Sequence, residues 1–445
     1  MDRLLRPFQQ FAKTEASGGI VLLAAAALAL VWANSPFADA YADLWATYVT
    51  VGAGSFEISR PLLLWVNDGL MAIFFFVVGL EIKREVLTGE LAEPRKAALA
   101  IAAALGGMAV PALLYLGVTS GTPAAGGWGI PMATDIAFAL GVLALLGSRA
   151  PFALKVFLTA VAIVDDLGAV VVIALFYTAE VKVGMLVASL ACVAALAVVN
   201  RLGVQKPLVY GLVGIVAWVF MLKSGIHATI AGVLVALTIP ATRRIDENVF
   251  SERIASLLGH FNLGLTPGNA VPDADQMHAV HSMESAILDV EPPLQRLEHG
   301  LHGFVAFFVM PVFALANAGV AFGADIAAMA TDVVALGVMA GLIVGKPVGV
   351  MLLAFVAVKS GLAALPRGVT WRHVLGVSFL TGIGFTMSIF IANLAFGAGP
   401  MLDSAKLGIL AASLVSGVLG AAVLLTTPPA PEPVPKPSAV AGVAA

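Results

Sequence analysis

Two adjacent carboxylates, Asp165 and Asp166, stand in the middle of AVAIVDDLGAVVVIAL (160–175), within an apolar run long enough to cross a bilayer. From Val156 to Tyr177 no other ionisable side chain occurs except the terminal tyrosine. An aspartate at the centre of a membrane helix costs about 2.5–3.5 kcal/mol on insertion scales. Each therefore needs a partner for its charge. Neighbours on a helix point about 100° apart, so the pair cannot face one point but can border one cavity. A pair in a polar turn is the alternative, but about ten apolar residues flank it on either side. The chemistry this predicts is binding of protons or of a hard cation through oxygen.

A second ionisable group interrupts an apolar run at Lys346, in AGLIVGKPVGVML. A lysine near a helix end can snorkel to the headgroups, whereas this one lies about 15 Å from either interface. It is expected to face a carboxylate, with Asp165 or Asp166 the economical partner; a structural counter-charge at helix C-termini is the alternative. Asp135 and Thr134 follow Gly129 and Pro131 in GGWGIPMATDIAF. There the carboxylate either offsets the positive N-terminal ends of a broken helix or ligates the ion, and Thr134 offers a neutral oxygen. Glu81, Lys83, Arg84 and Glu85 (GLEIKREVLTGEL) and Glu298, His299 and His302 (RLEHGLH) form a charged set at one membrane face. Asp68 (WVNDGLMAIFFF) and His227 (SGIHATIAG) lie toward the other. His278 and His281 have weak metal-ligand spacing, and a solvated helix explains them as well.

The elements that position these groups follow from composition. Of 445 residues, 60% are hydrophobic and 11% charged, against about 25% charged in soluble domains. No charged residue lies between Lys96 and Asp135 or between Arg372 and Asp403, which predicts an all-α polytopic membrane protein. A net charge of −3 selects no partner, and no basic patch points to nucleic acid. The one cysteine, Cys192, excludes an intramolecular disulfide. At about 20 residues per span, twelve helices are expected: 16–34, 61–82, 97–118, 128–147, 156–176, 182–200, 207–222, 225–240, 303–322, 333–357, 373–397 and 405–427. The first is read as an uncleaved helix, not a signal peptide. With the N-terminus inside, Arg60, Lys182, Lys223 and Lys406 fall outside and Lys346 within the membrane, leaving nineteen of the 24 basic residues cytoplasmic. Both termini are thus expected in the cytoplasm.

Helices 3–5 and 10–12 would run in opposite senses, as two inverted three-helix repeats. The middle helix of each is interrupted, helix 4 at Gly129 and Pro131 and helix 11 at Gly382 and Gly384. Matching interruptions in two halves point to a transport site at mid-membrane. The antiporter domain is expected over 1–427. Within it, 46–61 (ATYVTVGAGSFEISRP) reads as an outer-face β-hairpin, and 241–300 as a long cytoplasmic insert, helical from about Asp275 to the break at Pro292 and Pro293. The Pro/Ala-rich tail 428–445 is expected to be disordered.

An intramembrane aspartyl protease would need two aspartates on different helices, one in a GxGD setting; the nearest match, GIGF at 382–385, has none. A passive channel would not call for paired charges on inverted broken helices. No enzyme activity and no cofactor are expected. Exchange of two protons for one cation would be electrogenic, driven inward by a negative-inside potential.

The segments MATDIAFALGVLALLG, LTAVAIVDDLGAVVVIALFYT, ALANAGV, GLIVGKPVGV and TGIGFTMSIFIANLAF, with GLEIKRE and SGIHATIAG, resemble the NhaA family of bacterial sodium/proton antiporters over nearly all of 10–425 outside the insert. That family is itself an established example of a transporter built from inverted repeats. The resemblance implies twelve helices with crossed, broken helices 4 and 11, in a multi-pass protein of the bacterial inner membrane. It implies Asp166 as principal cation and proton carboxylate, and Asp165 as its partner in an ion-dependent salt bridge with Lys346. Asp135 and Thr134 would belong to the helix assembly beside the site. Glu81, Glu85 and Glu298 match positions tied to pH response, which His299 adjoins, and His227 matches one that shifts the pH profile. The hairpin matches a dimerisation element, so a homodimer through 46–61 is implied. Where that family usually has His-Pro-Trp near the start of helix 9, this chain has His302-Gly303-Phe304, after a long insert.

Overall fold

The computed structural model describes residues 2–53, 56–178, 181–263, 273–321 and 326–428. Helix α1 (Asp2–Ala33) is followed, through a 113° turn, by the short α2 (Ala38–Ala46). Strands β1 (Tyr48–Ala53) and β2 (Phe56–Pro61) pair antiparallel, with Tyr48 opposite Pro61 and Val51 opposite Ile58. The hairpin is the expected one, although its tip at 54–55 lies outside the described residues. Six continuous spans come next or soon after: α3 (Leu62–Thr88), α4 (Pro94–Thr119), α6 (Phe152–Phe176), α7 (Val183–Arg201), α8 (Pro207–Ser224) and α12 (Pro293–Asn317). Between α4 and α6 lies α5 (Ile136–Leu145). After α8 come α9 (Thr229–Thr238), α10 (Glu247–Leu263) and α11 (Ala274–Val290). The chain closes with α13 (Val333–Lys359), α14 (Trp371–Leu380), α15 (Phe385–Phe396) and α16 (Pro400–Thr426).

A helix or bent helix pair stands at each of the twelve expected positions among the described residues; eleven are long and apolar enough to cross a membrane when each bent pair counts as one, and three positions differ from expectation. The first half of helix 4 is a run of 3₁₀ turns, Pro123–Met132, rather than α-helix, because Pro123 and Pro131 lack amide donors and three glycines lie between them. It meets α5 at a 43° bend. Helix 8 shrinks to the ten residues of α9, since Gly225, with φ 88°, caps α8 and Pro240 follows the end of α9. Helix 9 starts ten residues early, at Pro293. Its first turns are amphipathic, with Arg296, Glu298, His299 and His302 interrupting the leucines, which masks them from a hydropathy window.

The insert folds as two helices packed together, α10 and α11, of which only the second was expected. Asp273 opens α11 with a capping box to Gln276. The amide of Leu294 bonds the carbonyl of Pro240 at 3.1 Å, so the two ends of the insert meet. The tail beyond 428 lies outside the described residues.

Two features place Lys346. Gly106 of α4 and Gly349 of α13 face each other so closely that a Cβ on either would strike the other's carbonyl, which lets these helices cross backbone to backbone. Immediately before Lys346, residues Ala340–Gly345 form a π-helical stretch that re-aims the side chains after it. Similar stretches, Trp65–Leu70 and Val305–Val309, interrupt α3 and α12.

Candidate functional site

The two broken helices meet in the middle of the molecule. The extended residues 133–135 lead into α5, and α14 and α15 join through 381–384 at a 47° bend. Backbone groups freed by the breaks bond across the crossing. The amide of Asp135 donates to the carbonyl of Ile383 at 2.7 Å, and the Ser388 hydroxyl donates to the carbonyl of Ile130 at 2.8 Å. Asp135 caps both half-helices. Its Oδ1 accepts from the amide of Phe138 at 3.1 Å, and its Oδ2 accepts from the amide of Thr386 at 3.1 Å and from the Thr386 hydroxyl. One carboxylate thus meets two positive helix ends, the electrostatic role of the two weighed from sequence.

Beside the crossing, Lys346 of α13 forms an ion pair with Asp165 Oδ2 of α6, both side chains fully buried. The Thr134 hydroxyl lies 2.7 Å from the same oxygen, 3.0 Å from the carbonyl of Thr381 and 2.9 Å from Lys346 Nζ. It accepts from the ammonium and donates to one of the other two at a time. Asp166 sits differently. It is 2% exposed, its Oδ1 is buried without a hydrogen-bond partner, and no hydrogen bond reaches it among the described residues. Asp165, Glu81 and Asp135 act on it electrostatically, against one cation, Lys346. Asp165, Thr134 and the carbonyl of Thr381 share one hydrogen-bonded cluster, with Asp166 next to Asp165 on α6; oxygen groups of these kinds can hold a small hard cation or protons. Thr381 and Thr386 were not singled out from sequence; the hydroxyls flanking the glycines in TGIGFT were the available signal.

A cavity of about 60 Å³ leads to the crossing from the end opposite the hairpin. Glu81 of α3 and His302 of α12 line it at one end, Asp135, Met310 and Met387 at the other. At the same end Arg84 forms an ion pair with Glu298 and another with Glu85 at 2.9 Å. Glu85 also accepts from the amide of Glu90 at 3.0 Å, and Glu298 Oε2 is buried without a partner. Lys83 bonds the carbonyls of Leu237 and Ile239, closing the end of α9. His299 is apart from this group, exposed and bonded to the carbonyl of Gln295. Near the hairpin, Asp68 pairs with Arg60 at 2.7 Å, and His227 Nε2 lies 2.5 Å from the carbonyl of Tyr177. His278 and His281 are exposed on α11, and no cluster of three or more candidate ligands forms among the described residues.

Residues 9–424 match the family described as Na⁺/H⁺ antiporter 1. The chain belongs to that family. It is a multi-pass Na⁺/H⁺ antiporter, and the crossing lies inside the matched region. Relatives named Na(+)/H(+) antiporter NhaA agree with this. That of Oleidesulfovibrio alaskensis is 54% identical over 421 residues, covering 94% of each chain. That of Koribacter versatilis is 50% identical over 425 residues, covering 95% of this chain and 92% of its own. That of Mesorhizobium japonicum is 50% identical over 432 residues, covering 96% and 97%.

Proposed function

We propose that this antiporter exports one Na⁺ or Li⁺ for two protons by alternating access, with Asp166 and Asp165 as the carrier carboxylates. The observation that carries this reading is the contrast between them: Asp165 is held through Oδ2 by the Lys346 ammonium and the Thr134 hydroxyl, whereas Asp166, equally buried, has no ion pair or hydrogen bond among the described residues. A bare carboxylate in that position is costly, and a proton or a cation removes the cost. In the proton-loaded site Asp166 is neutral and the Lys346–Asp165 pair holds the second proton. A cation drawn to Asp166 competes for Asp165, with Thr134 able to supply a third oxygen, and both protons leave. Two charges in for one out moves one net charge per cycle, so a negative-inside potential drives cation export.

The site needs no resident cofactor in this scheme, since the ions are cargo and no bond is made or broken beyond proton transfer. We place the protein in the bacterial inner membrane with both termini cytoplasmic, on the distribution of lysine and arginine. The cavity at Glu81 and His302 is then the cytoplasmic approach. Arg84, Glu85 and Glu298, with Glu81 on the cavity wall, are the groups that set the response to pH there, with His299 at their edge; Asp68 and His227 modulate from the outer side. We place the dimer contact on the hairpin, whose ribbon edges are open to pairing.

Proteoliposomes with an imposed potential test this reading. Na⁺-driven proton movement that accelerates with an inward-directed potential supports two-for-one exchange. A rate independent of potential points to an electroneutral exchange and removes the second proton.

A further inference from the structure

Away from the crossing, three asparagines from three helices meet inside the apolar body. Asn317, at the end of α12, and Asn67, in α3, form a reciprocal amide pair, with Nδ2-to-Oδ1 distances of 2.8 and 3.2 Å. Asn393 of α15 donates to the same Asn317 Oδ1 at 2.9 Å. Two of these amides also hold their own helices: Asn317 donates to the carbonyl of Phe313, and Asn393 to that of Ile389. The transport site uses none of the three.

Hydrogen bonds sort the surroundings into two groups. The Tyr41 hydroxyl of α2 donates to the carbonyls of Leu315 and Ala316, and Asn34 beyond α1 donates to that of Val320. With the Asn67 pair, these tie the hairpin-side end of α12 to α1, α2 and α3. Helix α15 instead bonds to Asp135 and Ile130 at the crossing, and its first amide to Ser413 of α16. The Asn317–Asn393 bond therefore joins a group that carries the carboxylate crossing to a group that does not.

Its position along the access route is informative. The cavity ends at Met310 of α12 and Met387 of α15. One turn further toward the hairpin, Phe313 and Phe390 pack at 6.2 Å, and Phe390 packs on Phe75 of α3 at 5.7 Å. All three rings are essentially fully buried. On the same three helices, Asn317 and Asn393 lie about one turn beyond Phe313 and Phe390, and Asn67 about two turns beyond Phe75. The approach from the hairpin face is thus shut by two layers, one aromatic and one of amides.

We infer that the Asn317–Asn393 hydrogen bond is the latch of the hairpin-side gate, closing over the Phe75, Phe313 and Phe390 layer and parting once in each transport cycle. The inference rests on the alternating-access reading above. The bonding pattern suits release. When α15 moves away, Asn393 keeps the carbonyl of Ile389, while Asn317 keeps Asn67 and the carbonyl of Phe313. One interhelical bond is lost, every amide nitrogen keeps one acceptor, and the single N–H that Asn393 frees faces the water that the opened gate admits. A polar contact meant only to fix the helices would gain from a reciprocal bond on both sides, as between Asn67 and Asn317.

The test uses the full chain carrying Cys192→Ser. With Asn317→Cys and Asn393→Cys together, bridging the thiols by mercuric ion is expected to lower Na⁺/H⁺ exchange in proteoliposomes about tenfold or more, with recovery on adding excess thiol. Each single-cysteine variant treated alike keeps its rate. A bridged double variant, verified by mass, that turns over at its unbridged rate overturns the latch. A second arm keeps the packing and removes the bond. In an Asn393→Leu protein carrying Met387→Cys, an impermeant thiol reagent applied at the hairpin face is expected to react about threefold faster than with Asn393 present, equivalent to one interhelical hydrogen bond of average strength. An unchanged rate also overturns the latch. Labelling of Thr50→Cys reports separately which membrane face the hairpin occupies, and exchange by the Cys192→Ser protein alone reports whether antiport itself stands.

Discussion

The ion pair at the crossing and the ion pairs at the cavity mouth are built from the same kinds of side chain and work in opposite surroundings. Lys346 and Asp165 are fully buried, whereas Arg84 is 29% exposed against Glu298 at 7% and Glu85 at 14%. At the mouth water reaches Arg84 but hardly Glu298, whose Oε2 is buried without a partner, so its charges are only partly screened. Nothing screens the crossing, so every change of charge there must be met by a proton, a cation or the partner side chain. On the proposed reading, the fully buried pair takes part in transport and the partly exposed pairs modulate it.

The sharpest break in this comparison is Asp166→Asn. It is expected to abolish Na⁺-driven proton release from proteoliposomes while the protein stays folded and monodisperse, because the amide cannot take up the charge of either cargo. Wild-type release from that variant would remove Asp166 from the mechanism. Next comes Lys346→Ala, which leaves Asp165 buried without its partner and is expected to lower stability by about 3–5 kcal/mol. Thermal unfolding measures it, and a melting temperature equal to wild type would deny the pair its structural part.

Protonation sharpens the contrast. A proton and Na⁺ compete for the same carboxylates, so apparent Na⁺ affinity is full on the alkaline side and lost as pH falls, by up to about tenfold per pH unit for one competing proton. Titrating Na⁺ affinity against pH checks the sign and slope. Glu298→Ala is expected to do something else: to move the pH profile of the rate at saturating Na⁺ without abolishing exchange. Superimposable profiles for variant and wild type would show that competition at the aspartates is sufficient.

The smallest effects on exchange belong to regions away from both pairs. Deleting 48–58 removes most of both strands and is expected to give an active monomer, detected by cross-linking; a dimer that persists would put the interface elsewhere. Removing 245–290 is expected to change exchange little. The bonded junction of Pro240 with Leu294 holds the flanking ends together, and the two helices removed pack chiefly on one another.

Much of this was legible in the linear order of residues. A charge within an apolar run is conspicuous whatever the fold, because hydrocarbon penalises it locally. Asp165, Asp166 and Lys346 could be read that way, while the paired interruptions were legible from glycine and proline and the hairpin from its alternation. Hydropathy also located the apolar helices, but it overextended α9, placed the start of α12 ten residues late and missed α10, since amphipathic and polar helices leave no apolar run. The division of labour between adjacent residues was beyond such reading. Asp165 is paired and Asp166 is not because Lys346, 181 positions away, approaches one side of α6 through the glycine contact of α4 with α13. The bond of Asp135 to Thr386 spans 251 positions, that of Asn67 to Asn317 spans 250, and that of Asn317 to Asn393 spans 76. Periodicity reports which face of a helix is apolar. Which side chains meet across helices is settled by packing between segments remote in sequence, and only the tertiary structure decided it.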